Sequence, residues 1–206
     1  MDEADFQPEP PSTPVDAPSS DGEGTAGAIS EAGPAEAERP EPDLYTENRL
    51  LCPLFSTQGR VWKYILRAGL IGLIPSLMIA IFLGTVTGGD GEGMPQFNRE
   101  VGAIILFVSL VIVSPVIETL FLGFGLWLLS FVTKKPLVKA VVSCVLWAGL
   151  HSLAASLWGL VVLWPFFVFS CAYLAWRRRS WWHAVGVTCG VHMFQNLLPG
   201  ILVAVT

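Results

Sequence analysis

Beyond residue 48 this 206-residue sequence is almost without acid: thirteen of its seventeen Asp and Glu residues fall in positions 1 to 48, and only Asp90, Glu92, Glu100 and Glu118 follow. Charge of either sign is scarce, at 14% of residues against about 25% in ordinary globular domains. A chain that is 52% hydrophobic with a mean hydropathy of +0.57 reads as an integral membrane protein carrying a polar tail. The net charge of -5 conceals two opposite halves. Residues 1 to 48 hold one Arg against thirteen acids, and the remainder holds eleven Lys and Arg against four. Those later cations flank apolar runs, which is a signal of membrane topology, so no nucleic-acid partner is expected.

Other absences narrow the chemistry. The four cysteines, Cys52, Cys144, Cys171 and Cys189, show no CxxC spacing, and three lie in apolar runs where a thiol acts as a small hydrophobe. That excludes a disulfide framework. There is no HExxH of a zinc peptidase helix, and no serine stands in the GxSxG setting of a nucleophile elbow. No internal repeat is visible. The acidic, Pro-rich start lacks the basic-then-apolar pattern of a cleavable signal peptide, so the first membrane span is expected to act as the targeting signal.

What is present is a set of long apolar runs. They predict an all-α, polytopic membrane protein of about five transmembrane helices, at residues 61–86, 101–132, 137–156, 157–176 and 181–205. A tail over residues 1–48, rich in Pro, Glu, Ala, Gly and Ser, has too little apolar surface to offset ordering entropy and is expected to be disordered. The second run would be about 48 Å long as a straight helix, against a hydrocarbon core of about 30 Å. It must tilt, project or kink, and Pro115 is the evident kink site. Basic clusters at 60–67, 134–139 and 177–179 fall on one side of a five-span chain, and the Gly-rich acidic loop at 87–100 falls on the other. The positive-inside rule then puts the N-terminus in the cytoplasm and the C-terminus outside. His183, beside Trp181 and Trp182 after three arginines, reads as an interfacial anchor.

Glu118 is the one acid inside an apolar run, where an ionised carboxylate costs roughly 2.5 to 3.5 kcal/mol on insertion scales. Something must repay it. Two histidines, His151 and His192, sit in two further runs. At the helical rise, Glu118, His151 and His192 lie about 24, 18 and 20 Å from Lys134, Lys139 and Arg179, which brings all three near the midplane. Asn196 follows His192 by one helical turn, and Trp147 precedes His151 by one turn, placed to wall the site.

Such a set can hydrolyse an amide without a covalent intermediate. Glu118 with His151 would take a proton from an attacking water, and His192 with Asn196 would donate hydrogen bonds to the developing oxyanion. No cofactor is needed for this; the alternative is a zinc ion held by Glu118, His151 and His192. The expected partners are the lipid bilayer and a membrane-embedded or membrane-adjacent peptide, with room left for an oligomer. Two other classes compete: a non-catalytic scaffold or immunity-type protein held together by its polar cluster, and a proton or metal transporter using Glu and His as a relay.

At these residues the sequence resembles the CAAX protease and bacteriocin-processing (CPBP, or Abi) family of intramembrane proteases. SPVIETLFLG resembles the family's first motif, with Pro115 and Glu118 matching but Thr119 at the second Glu position and Gly123 at the Arg position. WAGLH matches the second motif at Trp147 and His151, and HMFQN the third at His192 and Asn196. The resemblance covers about residues 101–206. It implies a glutamate-dependent endopeptidase, usually taken to be metal-independent, with Glu118 and His151 activating water and His192 with Asn196 forming the oxyanion hole. The two departures remove a charge pair, leaving Thr119 as a hydrogen-bonding substitute. With about five spans the chain has fewer than the eight of the prenyl-protein-processing members, so cleavage of prenylated tails is not implied.

Overall fold

An apolar chain in lipid must satisfy its backbone internally, and each apolar run does so by forming a helix. The computed structural model describes residues 52–88 and 93–205; the acidic tail at 1–48 lies outside the described residues. A four-residue helix α1 (Cys52–Phe55) is followed by α2 (Val61–Val86), α3 (Ala103–Val132), α4 (Pro136–Ala154), α5 (Trp158–Arg177) and α6 (Trp181–Val205). No strand occurs among the described residues. All five long helices are apolar and long enough to cross a bilayer, so the chain is an integral, multi-pass membrane protein. Their ends lie within two residues of the sequence expectation, with α3 beginning at Ala103 after the positive-φ Gly102 and α4 ending at Ala154.

The bundle is organised around α5. In its most apolar stretch 67% of residues are buried, whereas the value is 17% for α2 and for α3. Yet α3 is the most apolar of the five. The reason is that lipid tails are as apolar as leucine, so a helix facing lipid is greasy, while one facing other helices is selected for close approach. Ser170, Cys171 and Ala172 on α5 are wholly buried. The Ser170 hydroxyl donates to that of Ser143 on α4 at 3.0 Å. At the α4–α5 hairpin a Cβ on Gly159 would stand 2.3 Å from the Ala148 carbonyl oxygen, so only glycine permits this crossing.

Prolines in the spans supply the second organising device. A proline lacks the N–H that would bond the carbonyl four residues back, and in lipid that freed carbonyl needs a donor. Pro75 in α2 frees the Ile71 carbonyl, and the Trp164 indole of α5 donates to it at 2.8 Å. Pro165 in α5 frees the Val161 carbonyl, and the Ser76 hydroxyl of α2 donates to it at 2.9 Å. The two helices thus close each other's gaps reciprocally. In α3 the residues Ser109–Val113 form a π turn, with the Ser114 N–H reaching the Ser109 carbonyl five residues back. The next such bond, to the Leu110 carbonyl, would require an N–H on Pro115. The Asn196 amide of α6 donates to that carbonyl instead, at 3.0 Å. Pro115 therefore marks the irregularity expected of it, and a third helix satisfies the backbone.

One end of the bundle is basic. Arg67 donates to the Ser56 carbonyl at 3.2 Å and Arg179 to the Thr57 carbonyl at 2.7 Å, tying the α1–α2 segment to the end of α5. The Tyr64 hydroxyl donates to the Leu54 carbonyl at 2.6 Å, and its ring meets Trp176 edge-on. At the opposite end of the spans the Leu157 N–H, in the α4–α5 turn, bonds the Gly93 carbonyl at 2.8 Å. This draws residues 94–97 over the bundle.

Candidate functional site

Glu118 lies near the middle of α3, one turn after Ser114, and the Ser114 hydroxyl donates to its Oε1. That bond holds one carboxylate oxygen against its own helix. The other, Oε2, faces two imidazoles from two different helices: His151 Nε2 of α4 at 3.9 Å and His192 Nε2 of α6 at 3.7 Å. Three apolar segments distant in sequence thus bring their ionisable groups to one oxygen atom. These separations exceed a direct hydrogen bond of about 2.7 to 3.2 Å and are short enough for one water to bridge.

The surroundings fix the imidazoles. His151 Nδ1 is 2.8 Å from the Trp147 carbonyl, which can only accept, so Nδ1 carries a proton. In the neutral ring Nε2 is then an acceptor facing a carboxylate oxygen, also an acceptor. A water between them has one hydrogen to give to each. The His151 ring meets Trp158 edge-on at 4.6 Å between centroids and lies 5.0 Å from Phe166. Trp147 stacks flat on Phe166 at 4.8 Å. His192 is only 4% exposed and stacks on Phe169 at 4.2 Å. Aromatic walls from α4 and α5 therefore hold both rings toward Glu118.

The three groups border a cavity of about 370 Å³, within the range of about 300 to 1,000 Å³ usual for ligand pockets. Its lining is apolar except for Ser76, whose hydroxyl is committed to the Val161 carbonyl, and for this cluster, where Ser114, Gln195 and Asn196 join Glu118 and the two histidines. Met94, Pro95 and Phe97 of the α2–α3 connection close it from the end opposite the basic clusters.

Several sequence expectations change. Asn196 borders the cavity, but one hydrogen of its amide is committed to the Leu110 carbonyl, so its first role is to join α6 to the π turn of α3. Trp147 does not line the cavity; its carbonyl orients His151 and its ring supports Phe166. Thr119 is 1% exposed and absent from the cavity wall. It sits one residue along a helix from Glu118, about 100° round the axis, and faces the packed interior instead. An arginine of the resembling motif at Gly123 would require the Tyr173 ring to move, because a Cβ there would stand 2.6 Å from the Tyr173 hydroxyl. That space is already filled. Finally, no set of three His, Cys, Asp or Glu side chains among the described residues is arranged to hold a metal ion.

Ser114, near the site in sequence but without a nucleophile's setting, is the hydroxyl one turn before Glu118 on the same face and holds its carboxylate. One lining residue escaped the sequence reading. Gln195 is 6% exposed, lines the cavity and leaves its Oε1 unpaired. Its only sequence signal was a second amide beside Asn196 in HMFQN.

Helix content, span lengths and this partly buried Glu–His–His cluster define a polytopic membrane protein with a polar site at mid-bundle. Compared with protein-family models, curated proteins and solved structures, the chain matches none.

Proposed function

We propose that the chain is an intramembrane endopeptidase that hydrolyses a peptide bond with a water activated by Glu118 and His151. The observation that carries the reading is the pair of imidazole Nε2 atoms facing one carboxylate oxygen across a cavity, with the other oxygen held by Ser114. A water at this point donates one hydrogen to Glu118 Oε2 and one to His151 Nε2, leaving its lone pair for the substrate carbonyl. As the carbon–oxygen bond forms, the water proton passes to the Glu118–His151 pair. The carbonyl oxygen gains charge and takes a hydrogen bond from His192 Nε2–H, with the second amide hydrogen of Asn196 as a further donor. When the tetrahedral species collapses, the carbon–nitrogen bond breaks and the stored proton goes to the departing amine. The products are a carboxylate and an amine, and water is the only co-reactant, so no step is routed through a metal.

The resemblance of SPVIE, WAGLH and HMFQN to the CPBP motifs supports the same roles. The apolar lining favours a peptide substrate presenting small apolar side chains from within or beside the bilayer. The topology is read as N-terminus cytoplasmic and C-terminus outside. Its support is that residues 56–57, Arg67 and Arg179 meet at one end, away from Met94 and Phe97.

The test is cleavage of a panel of single-span peptides in proteoliposomes, followed by mass spectrometry in heavy-oxygen water. Hydrolysis with one heavy oxygen in the new carboxylate under single turnover, lost in Glu118→Gln, is the expected result. A folded wild-type protein that cleaves no member of the panel but conducts protons would instead favour the relay reading.

A further inference from the structure

Four prolines lie inside the spans beyond a first turn: Pro75, Pro115, Pro165 and Pro199. Each denies its helix one N–H and so leaves a carbonyl without its usual donor. For three of them a side chain of another helix supplies the donor: Trp164 to the Ile71 carbonyl, Ser76 to that of Val161 and Asn196 to that of Leu110. The fourth differs. Pro199 frees the carbonyl of Gln195, four residues back in α6, and among the described residues no side chain donates to it. Gln195 and Pro199 both line the cavity, so this carbonyl belongs to its wall and not to a helix seam.

The side chain of the same residue is uncommitted too. Gln195 is 6% exposed and its amide makes no hydrogen bond. Its Oε1 is closed in against α2, where a Cβ on Gly72 would stand 3.0 Å from it, which leaves the NH2 as the edge open to the cavity. Buried polar groups are as a rule paired, so one residue with a free donor and a bare acceptor on a cavity wall points to a ligand that brings both. A peptide main chain is such a ligand, with one N–H and one C=O at nearly every residue. The position suits it. Gln195 follows His192 by three residues, on the same face and about 4.5 Å further along α6. That is between one and two residues of extended peptide at about 3.3 Å each.

We propose that Gln195 orients the substrate. Its NH2 donates to a substrate carbonyl and its backbone carbonyl accepts a substrate N–H, one to two residues from the bond that is cleaved. This rests on the peptidase reading and narrows its substrate class. A helical span pairs its own N–H and C=O groups, so only a locally unwound, extended stretch can bind Gln195. Main-chain pairing also sets the register of the peptide without calling for a polar side chain, in keeping with the largely apolar lining.

The test uses the full chain in proteoliposomes and a labelled single-span peptide of Leu and Ala with a central Gly-Gly pair. Binding is read in the Glu118→Gln background, so that no peptide is consumed. Gln195→Met keeps the side-chain length but removes the amide, and should weaken binding roughly three- to tenfold. Pro199→Ala returns an N–H to α6 that closes the Gln195 carbonyl; it should raise the unfolding midpoint yet weaken binding by a similar factor. With Glu118 restored, both variants should raise the Michaelis constant and leave the turnover number nearly unchanged. N-methylation along the peptide should reveal one N–H whose loss weakens binding to the parent but not to Pro199→Ala. A merely structural role would move the unfolding midpoint alone. Unchanged binding in either variant therefore overturns the proposal, as does a peptide that does not bind at all. Peptide that binds through Gln195 but is never cleaved by the wild-type chain would uphold this site and remove the peptidase reading instead.

Discussion

Polar groups enter the apolar interior of this protein in two ways, and the contrast separates structure from chemistry. At the α2–α5 seam each polar group is closed in a pair: Trp164 on the Ile71 carbonyl at 2.8 Å, Ser76 on the Val161 carbonyl at 2.9 Å. Around Glu118 the groups are open, with Oε2 standing 3.9 and 3.7 Å from two imidazoles. The first arrangement leaves nothing for a ligand to do. The second leaves room and bonding capacity for a small polar molecule. Asn196 belongs to both, with one amide hydrogen on the Leu110 carbonyl and its side chain at the cavity wall. Depth in the membrane is therefore a poor guide to function by itself; whether the polar atoms already satisfy one another is the better one.

Substitutions can break this contrast or sharpen it. The largest effect is expected for Glu118→Gln, which keeps the Ser114 partner and the side-chain volume but removes the base. Peptide hydrolysis in proteoliposomes should fall by roughly 10² to 10⁴-fold, with the thermal unfolding midpoint nearly unchanged. If the variant fails to insert or unfolds, the cluster is a structural pair like the others and the contrast is void. His192→Gln comes next, with turnover reduced by roughly 10² to 10³-fold for loss of one oxyanion donor. The Michaelis constant should move little, since the donor acts on charge that develops only in the transition state.

Asn196→Ala is intermediate and reads both halves at once. It orphans the Leu110 carbonyl, so a stability loss of about 1 kcal/mol in micellar unfolding should accompany a fall in turnover. Smallest are the closed pairs. Trp164→Phe keeps an aromatic ring while removing the indole donor, and a loss of roughly 0.6 to 1.7 kcal/mol is expected with hydrolysis unaffected. Hydrolysis that collapses in Trp164→Phe would show that the seam is coupled to the site and not merely a brace for it.

Much of this was legible in the chain, for identifiable reasons. Span positions follow from apolar length, and the meeting of Glu118, His151 and His192 follows from helical rise counted from basic anchors, because a bilayer gives every helix the same ruler. Thr119 lies off the cavity wall because one residue turns a helical side chain by about 100°, which a motif position does not reveal. Gln195 was missed because an amide on a helix gives no sign of which face is buried. The identity of α5 as the central helix was not legible, since the most apolar segment is α3, one of the most exposed to lipid.

The sequence alone determined that the chain crosses a membrane about five times, that one carboxylate and two imidazoles travel inside, and that the cations gather on one side. These depend on composition and on periodic distance along a helix. Tertiary structure decided which oxygen of Glu118 faces the histidines, that Asn196 is half committed to the α3 backbone, and that Tyr173 fills the space beside Gly123. Those outcomes turn on how helices rotate about their own axes and where prolines leave carbonyls bare. Only the neighbouring helix can settle either one.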